Sequence, residues 1–267
     1  MNRGILLVGC GKMGSALLAG WLSRGIAASD IAIVEPNPVP DLPAGIRLFA
    51  SAGGIPADFN PALVMLAVKP QVMDAVAPSY SVYAGKNACI LSIAAGKTIA
   101  TLDRLLGGGA AIVRAMPNTP AAVGAGITVC CANAAVTEDQ RIFCSDLLEA
   151  VGEVAWIGDE GLIDAVTAVS GSGPAYVFWL AECLAAAGEK AGLDAALAAR
   201  LAHATVSGSG LLMRQSPESP AQLRKNVTSP NGTTQAALDV LMAEDGLQPL
   251  MDRAVAAAAR RSKELAG

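Results

Sequence analysis

The pattern of apolar segments changes once along the chain, near residue 158. Before that point, short and almost continuously apolar segments alternate with stretches of helical character. Such runs are typical of parallel strands covered on both faces, and their alternation with helices is typical of a doubly wound sheet. We predict a Rossmann-like α/β domain at residues 1–158 with strands at Ile5–Gly9, Ile31–Glu35, Leu63–Val68, Cys89–Ile93, Ala111–Arg114, Gly126–Cys131 and Glu153–Ile157.

Residues 159–267 carry helical patterns and no further strand signal. The predicted helices are Leu162–Ala191, Asp194–Arg214, Pro220–Asn226, Thr233–Ala243 and Leu247–Leu265. Their apolar residues recur on more than one face, and a helix that is apolar all round must be buried. A domain of about 110 residues cannot bury that much surface alone. We therefore predict an all-helical dimerisation domain that packs against a second subunit.

The composition raises the question of a membrane, because 53% of the residues are hydrophobic and the mean hydropathy is +0.46. A membrane-spanning helix needs about 20 predominantly apolar residues. The best candidate, residues 165–187, is interrupted by Ser170–Pro174 and carries Glu182. The apolar N-terminal stretch contains Lys12 and three glycines, which a signal-peptide core lacks. We expect neither a membrane span nor a secretion signal.

Charge, cysteines and histidine argue against several kinds of partner. A net charge of −4 provides no field that attracts the phosphates of a nucleic acid. The six cysteines show no Cys-x-x-Cys spacing, and His203 is the single histidine, so a metal site or a Ser-His-Asp triad is not expected. We interpret the cysteines as small apolar residues in a reducing cytoplasm and His203 as a packed or surface residue.

The segment Gly9-Cys10-Gly11-Lys12-Met13-Gly14 has the Gly-x-Gly-x-x-Gly spacing of a dinucleotide-binding loop. It follows the first predicted strand, opens a helix at Lys12–Ser23, and leads to the next strand of a βαβ unit. The first glycine permits a tight turn, the second lets a pyrophosphate approach, and the third lets the helix pack on the strand. The helix N-terminus then attracts the anion. Predicted cofactor contacts are Gly9, Gly11, Lys12, Met13 and Gly14.

Glu35 follows this loop by the interval of roughly 20 residues at which an acidic residue binds the ribose 2′-hydroxyl of NAD. No Arg occurs between Glu35 and Arg47, so the 2′-phosphate of NADP lacks an obvious partner. Taken alone, this pattern favours NAD. The alternative is that Glu35 merely ends a strand before the turn Pro36-Asn37-Pro38.

Two further strand ends carry small residues that leave room for a nicotinamide and its ribose. Ligands of open α/β sheets bind beyond the carboxyl ends of the strands. We therefore predict cofactor contacts from Ala67, Val68, Lys69 and Pro70 after one strand, and from Ala94, Ala95 and Gly96 after another. Lys69 is equally well explained as a solvated loop residue.

The segment Val227–Thr234 in the helical half is dense in hydroxyl groups and precedes a predicted helix. Free N–H groups at such a helix start can bind a carboxylate. Simple capping explains the same residues, with Ser229 as the N-cap and Pro230 at the first helical position. The chemistry alone does not choose between these two interpretations.

The segment Asn226–Thr234 together with Ala237-Leu238 resembles the signature of the pyrroline-5-carboxylate reductases. Other blocks match that family in order, so that the resemblance spans nearly the whole chain; they are Gly9–Gly14, Ala67–Gln71, Ser92–Gly96, Arg114–Pro120 and Leu162–Tyr176. The resemblance implies reduction of 1-pyrroline-5-carboxylate to proline with NADP(H) or NAD(H). It also implies dimers with interlocked helical domains, often assembled into decamers, and an active site between subunits.

For this reaction we place the substrate carboxylate at the helix N-terminus near Ser229, Gly232 and Thr233, and we expect the Thr234 hydroxyl to bond the ring nitrogen as the catalytic contact. The resemblance further implies that Glu160 lies near the substrate and Asn226 near the nicotinamide. A cyclic iminium already accepts hydride well, so the residues have to position and stabilise it rather than supply paired acids and bases. Asn231 departs from the Gly-Gly of many members, and Asn tolerates a left-handed conformation.

Two other classes share parts of this pattern. A β-hydroxyacid dehydrogenase combines the same glycine loop with a helical domain, but it carries a catalytic Lys shortly after the Ser-Gly block, and no Lys lies between Ser170 and Lys190. A non-catalytic dinucleotide sensor would keep Gly9–Gly14 without needing the hydroxyl-rich segment.

Overall fold

The computed structural model describes residues 4–40, 42–86 and 88–266. Contacts between Cα atoms divide the chain into two compact units. The first unit comprises Met1–Gly171 with Ala259–Gly267, and the second comprises Ser172–Ala258. The boundary that we place after residue 158 follows the end of the strand pattern, and it stays a prediction.

As far as its residues are described, the first unit is built on one sheet of eight strands in the order β3-β2-β1-β4-β5-β6-β7-β8. Strands β1 to β6 are parallel, which gives the Rossmann-like α/β architecture expected from the sequence. The strands are β1 Ile5–Val8, β2 Ile31–Val34, β3 Arg47–Phe49, β4 Leu63–Leu66, β5 Cys89–Ser92, β6 Ala111–Met116, β7 Gly126–Ala132 and β8 Gly152–Trp156.

The described residues of the first unit's main segment contain six α-helices, which are joined by several 3₁₀ turns. They are α1 Lys12–Ser23, α2 Met73–Val76, α3 Ser81–Ala84, α4 Ile99–Leu105, α5 Glu138–Leu148 and α6 Ile163–Val166. Alternate residues of each inner strand enter different cores: Ile5 and Leu7 pack in a cluster with Trp21 of α1, whereas Leu6 and Val8 pack in a cluster with Tyr80. Burial on both faces explains why these strands read as continuous apolar runs.

Strand β7 departs from the predicted parallel sheet, because it runs antiparallel to β6 with Met116 opposite Val129. Only residues 117–125 join the two strands, whereas a parallel connection needs about a dozen residues or more. The side chain of Asn118 stabilises the turn by accepting a hydrogen bond from the Ile127 N–H at 2.9 Å. Strand β8 is parallel to β7 because α5 provides the crossover.

Strand β3 was not predicted. It has three residues, lies at the edge of the sheet, and is largely exposed, so it lacks the apolar run that marks the other strands. Its pairing nevertheless matters for the site, since the Glu35 N–H donates to the Phe49 carbonyl at 3.0 Å.

The prediction of one helix over Leu162–Ala191 was wrong. A 3₁₀ turn at Glu160–Leu162, helix α6 and a π-helical turn at Thr167–Gly171 precede a break at Ser172, after which a new helix begins. Pro174 lies in the first turn of that helix, where its missing N–H costs nothing, and its ring prevents a continuous ladder of hydrogen bonds through the break.

The second unit is helical, and α7 and α8 form its most extensive packing. Its helices are α7 Gly173–Lys190, α8 Ala195–Gln215, α9 Pro220–Asn226, α10 Thr233–Leu241 and α11 Leu247–Ala266, the last of which ends among the residues of the first unit. Of the described residues, those of α7 include none that is buried, and Phe178 and Trp179 are 62% and 64% exposed.

Five large apolar side chains of α7 are exposed, and because four of them are consecutive they lie around the helix rather than on one side of it. We call this set the α7 apolar face; it consists of Val177, Phe178, Trp179, Leu180 and Leu184. An apolar surface of this kind marks an interaction site more often than a free surface. Over the described residues, no helix has both the length and the apolar character that crossing a membrane requires.

Candidate active site

The glycine loop after β1 makes a tight turn that depends on glycine at two positions. Gly9 has a φ of +93°, and a Cβ atom there would lie 2.8 Å from the Ala67 carbonyl oxygen. Gly14 is buried at the first turn of α1, where a Cβ atom would overlap with the Gly9 carbonyl oxygen. The loop therefore brings the start of α1 against the end of β4, as the motif predicts.

The N-terminus of α1 is open to an anion. Gly11 is the N-cap and provides no side-chain cap, and no atom of the described residues lies within 4 Å of the place where its Cβ would stand. The first turn carries no acidic residue, and the exposed Lys12 is its first residue. Free N–H groups, the helix dipole and unobstructed space are the features that a pyrophosphate requires, so this loop fits a dinucleotide.

Glu35, directly after β2, faces this loop and is held by it. Its Oε2 accepts a hydrogen bond from the Cys10 N–H at 2.9 Å, and its Oε1 accepts from the Asn37 N–H at 3.1 Å and the Asn37 side chain at 2.9 Å. Burial alone would raise the pKa of Glu35, but these three donors outweigh it and lower the pKa below its usual value. The carboxylate is therefore ionised at neutral pH.

The cysteine inside the loop is not a reactive thiolate. Burial, followed by the charge of Glu35, raises the pKa of Cys10. All six cysteines are free thiols, although the Sγ atoms of Cys89 and Cys144 lie 3.7 Å apart in the core. Within the described ranges, no three His, Cys, Asp or Glu residues are grouped so as to hold a metal ion.

The loops after β4 and β5 lie at the same edge of the sheet as the glycine loop, because β1, β4 and β5 are parallel neighbours. The Ala67 N–H donates to the Val8 carbonyl at 2.7 Å, and the exposed Lys69 precedes a turn that begins at Pro70. After β5, Ala94 is buried, Ala95 is exposed, and Gly96 has a φ of +73°. The structure thus brings together the loops predicted to contact the cofactor.

A cavity of about 240 Å³ opens beside the glycine loop. Gly9, Glu35 and Val68 line it, as do residues that the sequence interpretation missed: Val34, Pro36, Ala50, Ser51, Ala52, Ala75, Val76, Ser79 and Tyr80. Most of these residues belong to the unpredicted β3 region or to the broken helical segment after β4, which explains why no motif revealed them. Burial raises the pKa of Tyr80 to about 12, so its hydroxyl stays neutral.

Glu160 belongs to the first unit, where it links strand β6 to the start of helix α4. Its Oε1 accepts from Arg114 Nη1 at 2.7 Å and from the Ile99 N–H at 2.9 Å. Arg114 is only 5% exposed and lies near the end of β6, while Ile99 is the first residue of α4. The carboxylate therefore compensates a buried charge and a helix N-terminus, which sequence spacing does not reveal.

The hydroxyl-rich loop of the second unit precedes α10, whose N-cap is Gly232. The capping interpretation with Ser229 as N-cap and Pro230 as first helical residue was wrong. The Gly232 N–H closes a turn onto the Ser229 carbonyl at 3.0 Å, and Asn231 has a φ of +58°, so the helix cannot begin before Thr233. Asn adopts this left-handed conformation more readily than most residues, as expected for Asn231.

The start of α10 leaves polar groups free. Gly232 offers no side-chain cap, and the first turn has no acidic residue. Within the described part of the chain, the hydroxyl of Thr234 has no hydrogen-bond partner. Nearby, the Asn226 amide is held at both ends, because its Nδ2 donates to Glu218 Oε2 and its Oδ1 accepts from Gln222 Nε2, both at 2.8 Å.

Comparisons with known proteins decide between the three classes that the sequence left open. Residues 160–265 match a family model described as pyrroline-5-carboxylate reductase dimerisation, and residues 4–96 match one described as NADP oxidoreductase coenzyme F420-dependent. A pyrroline-5-carboxylate reductase of Pseudomonas aeruginosa is 41% identical over 98% of this chain and 96% of its own length. The chain belongs to the pyrroline-5-carboxylate reductase family.

Solved structures of this reductase family agree with the fold. That of a pyrroline-5-carboxylate reductase from Coxiella burnetii has a TM-score of 0.93 at 33% identity, with both chains covered completely. That of the Plasmodium falciparum pyrroline carboxylate reductase, which has NADP bound, has a TM-score of 0.83 at 30% identity and covers 100% of this chain and 99% of its own. The family model described as NADP oxidoreductase coenzyme F420-dependent, which ends at residue 96, includes Gly9–Gly14, Glu35 and the loops after β4 and β5 up to Gly96.

Proposed function

We propose that this chain reduces 1-pyrroline-5-carboxylate to L-proline by hydride transfer from NADPH or NADH, the last step of proline biosynthesis. The proposal rests on one observation: this member of the family has two helix N-termini that are open to an anion, at the starts of α1 and α10. One follows a glycine loop and fits a pyrophosphate, and the other follows a hydroxyl-rich loop and fits a carboxylate.

The first unit provides the cofactor site in this proposal. NAD(P)H supplies a hydride from C4 of its nicotinamide when it is bound. The N–H groups at the start of α1 hold the pyrophosphate, with Gly9, Gly11, Lys12, Met13 and Gly14 around it. Ala67, Val68, Lys69 and Pro70 line one side of the path towards the nicotinamide, and Ala94, Ala95 and Gly96 line the other.

The second unit provides the substrate loop. Ser229, Gly232 and Thr233 hold the substrate carboxylate at the start of α10, where free N–H groups and the helix dipole stabilise a negative charge. The free hydroxyl of Thr234 bonds the ring nitrogen, which orients the C=N bond for attack. The reaction requires the two loops to serve one site in the assembled oligomer.

The proposed chemistry needs little acid–base machinery. A cyclic imine takes its proton from water, and the resulting iminium is already a good hydride acceptor. The residues of the site therefore act by positioning and by electrostatic stabilisation. This requirement is consistent with a chain whose single histidine, His203, is an exposed residue of α8.

Two further residues belong to the proposed site, and each is held in place by hydrogen bonds to its neighbours. Asn226 contacts the nicotinamide with an amide that Glu218 and Gln222 hold in one orientation. Glu160 lies near the substrate, and its position is set by Arg114 and the Ile99 N–H. A residue held by charged or two-sided hydrogen bonds loses little conformational freedom when it engages a ligand.

We propose that the chain acts as a homodimer, with further assembly to a decamer, in the cytoplasm. The exposed α7 apolar face and the family's dimerisation region at residues 160–265 support a homo-oligomer. Six free thiols are typical of a reducing compartment.

Two glycine substitutions separate folding from cofactor binding. Gly14→Ala is expected to destabilise the first unit by about 1–3 kcal/mol, because the new methyl overlaps with backbone. Gly11→Ala is expected to leave the melting temperature unchanged, since Gly11 has a φ of −71° and empty space beside it. Its methyl instead enters the space that the pyrophosphate approaches, so Kd for the cofactor should rise at least tenfold. Calorimetry of both variants measures the melting temperature and Kd for the cofactor. If the two substitutions changed both quantities equally, this separation of folding from cofactor binding would be contradicted.

The proposed reaction is tested by incubating the purified oligomer with 1-pyrroline-5-carboxylate and either NADH or NADPH in parallel. Absorbance at the nicotinamide band should fall with at least one cofactor, and proline should accumulate in equal amount. Binding of a cofactor without turnover would instead support a non-catalytic dinucleotide-binding protein, and no binding would refute the cofactor site.

A further inference from the structure

The cavity beside the glycine loop has one charged side chain among its described lining residues, and that side chain is negative. Glu35 stands at its edge, between apolar walls that include Val34, Val68 and Val76. Apolar walls suit a flat adenine ring, and the residue after β2 is where the adjoining ribose lies in this fold. Glu35 therefore faces the position that distinguishes NADH, with a 2′-hydroxyl, from NADPH, with a 2′-phosphate.

The carboxylate cannot easily turn away. Donors on two sides hold it, from Cys10 at one oxygen and from Asn37 at the other. If the Glu35 side chain moved away, the Cys10 N–H would lose its hydrogen-bond partner, so the side chain is held in place. The same donors stabilise its charged form. Oε1 already accepts two hydrogen bonds, but Oε2 accepts only that of the Cys10 N–H and keeps a lone pair to which a ribose hydroxyl can donate.

No cation compensates this charge within the described part of the cavity. Arg47, the first Arg after Glu35, pairs with Ala32 at the opposite end of β2, whereas Phe49 pairs with Val34 beside Glu35. The guanidinium of Arg47 stacks 4.5 Å above the Phe59 ring and belongs to a separate cavity at the amino ends of the strands. Lys12 and Lys69 follow neighbouring strands and are not lining residues of the Glu35 cavity.

We infer that Glu35 makes this site selective for NADH over NADPH. The inference rests on the proposed cofactor site and deepens it. The 2′-hydroxyl of NADH gains a charge-assisted hydrogen bond to the carboxylate. The 2′-phosphate of NADPH brings about 1.5 to 2 negative charges at pH 7 against the same carboxylate. Like charges in a partly buried cavity without a cation repel strongly.

Isothermal titration calorimetry of the whole oligomer, without pyrroline carboxylate, tests this inference. The wild-type protein should bind NADH at least tenfold more tightly than NADPH. Glu35→Gln should narrow that ratio at least fivefold, mainly by strengthening NADPH binding, since an amide oxygen still accepts from Cys10 but carries no charge. Asp30→Asn is the matched control, because it removes the same charge at the other end of β2 and should leave the ratio unchanged.

The outcomes separate this inference from the proposed reaction. Equal or tighter binding of NADPH to the wild-type protein would overturn the inference, as would a ratio unaffected by Glu35→Gln in a folded variant. The wild-type ratio stands as a test even if the variant fails to fold. Tight NADH binding with no turnover of pyrroline carboxylate would support the inference and refute the reaction, whereas binding of neither cofactor would refute both.

Discussion

Introducing two aspartates into the α7 apolar face, as Phe178→Asp with Trp179→Asp, should convert the oligomer into monomers and abolish turnover. Both side chains are more than half exposed in the single chain, so the charges cost little there. In a symmetric dimer each substitution occurs twice, and four unpaired carboxylates would have to be desolvated. We expect Kd for self-association to rise at least 1,000-fold, equivalent to about 4 kcal/mol.

Sedimentation velocity measures that change, and circular dichroism shows whether each subunit keeps its helices. Ile142→Asp is a suitable control, because Ile142 is a half-exposed apolar residue of α5 in the first unit. The control should stay oligomeric and active. A double variant with wild-type assembly, or a wild-type protein that is monomeric in dilute solution, would contradict the assignment of the α7 apolar face to subunit contact.

Replacing Thr234 by Val should lower kcat/KM for 1-pyrroline-5-carboxylate by roughly 10- to 150-fold, because a hydrogen bond to a charged group contributes about 1.5–3 kcal/mol. Val keeps the β-branched shape at the start of α10 while removing the hydroxyl, which bonds nothing else within the described chain. The melting temperature and the affinity for the cofactor should therefore stay the same.

Thr234→Ser is the matched control, since it restores the hydroxyl without the methyl group. Its kcat/KM should stay within a few-fold of the wild-type value in a steady-state assay with saturating cofactor. Wild-type kinetics in Thr234→Val, or equal losses in Val and Ser, would remove the hydroxyl from the proposed mechanism and leave Thr234 a packing role.

The parts of the fold that could be predicted are those where burial leaves a local pattern. Strand β1 is buried on both faces, so Ile5, Leu6, Leu7 and Val8 are all apolar, and Gly9 and Gly14 after it are required by the turn itself. The direction of β7 could not be predicted from its own residues, because it follows from the short connection before it. Likewise β3 is too short and too exposed to carry a signal.

The same distinction holds for the candidate site, where some features leave a local sequence pattern and others arise only in the folded chain. The place of Glu35 in the cofactor site could be predicted from its spacing in the sequence, because the interval between the glycine loop and the end of the second strand is a property of the βαβ unit. Its fixed orientation depends on Cys10, which is distant in sequence and meets it only in the folded chain. Glu160 could be named from the resemblance, but its pairing with Arg114 depends on the packing of β6 against the segment before α6. The apolar cavity walls likewise come from separate segments that no single motif contains.

Transfer of deuterium from the cofactor to the product is the decisive measurement for the proposed reaction. The oligomer would be incubated with 1-pyrroline-5-carboxylate and NADH deuterated at C4, with each face of the nicotinamide labelled in turn, and with NADPH labelled in the same way. Mass spectrometry should find one deuterium on the ring carbon of proline next to nitrogen, Cδ, from one face only. Failure to form proline with any of these cofactors, or formation of proline that carries no deuterium from either face, would contradict hydride transfer to the C=N carbon.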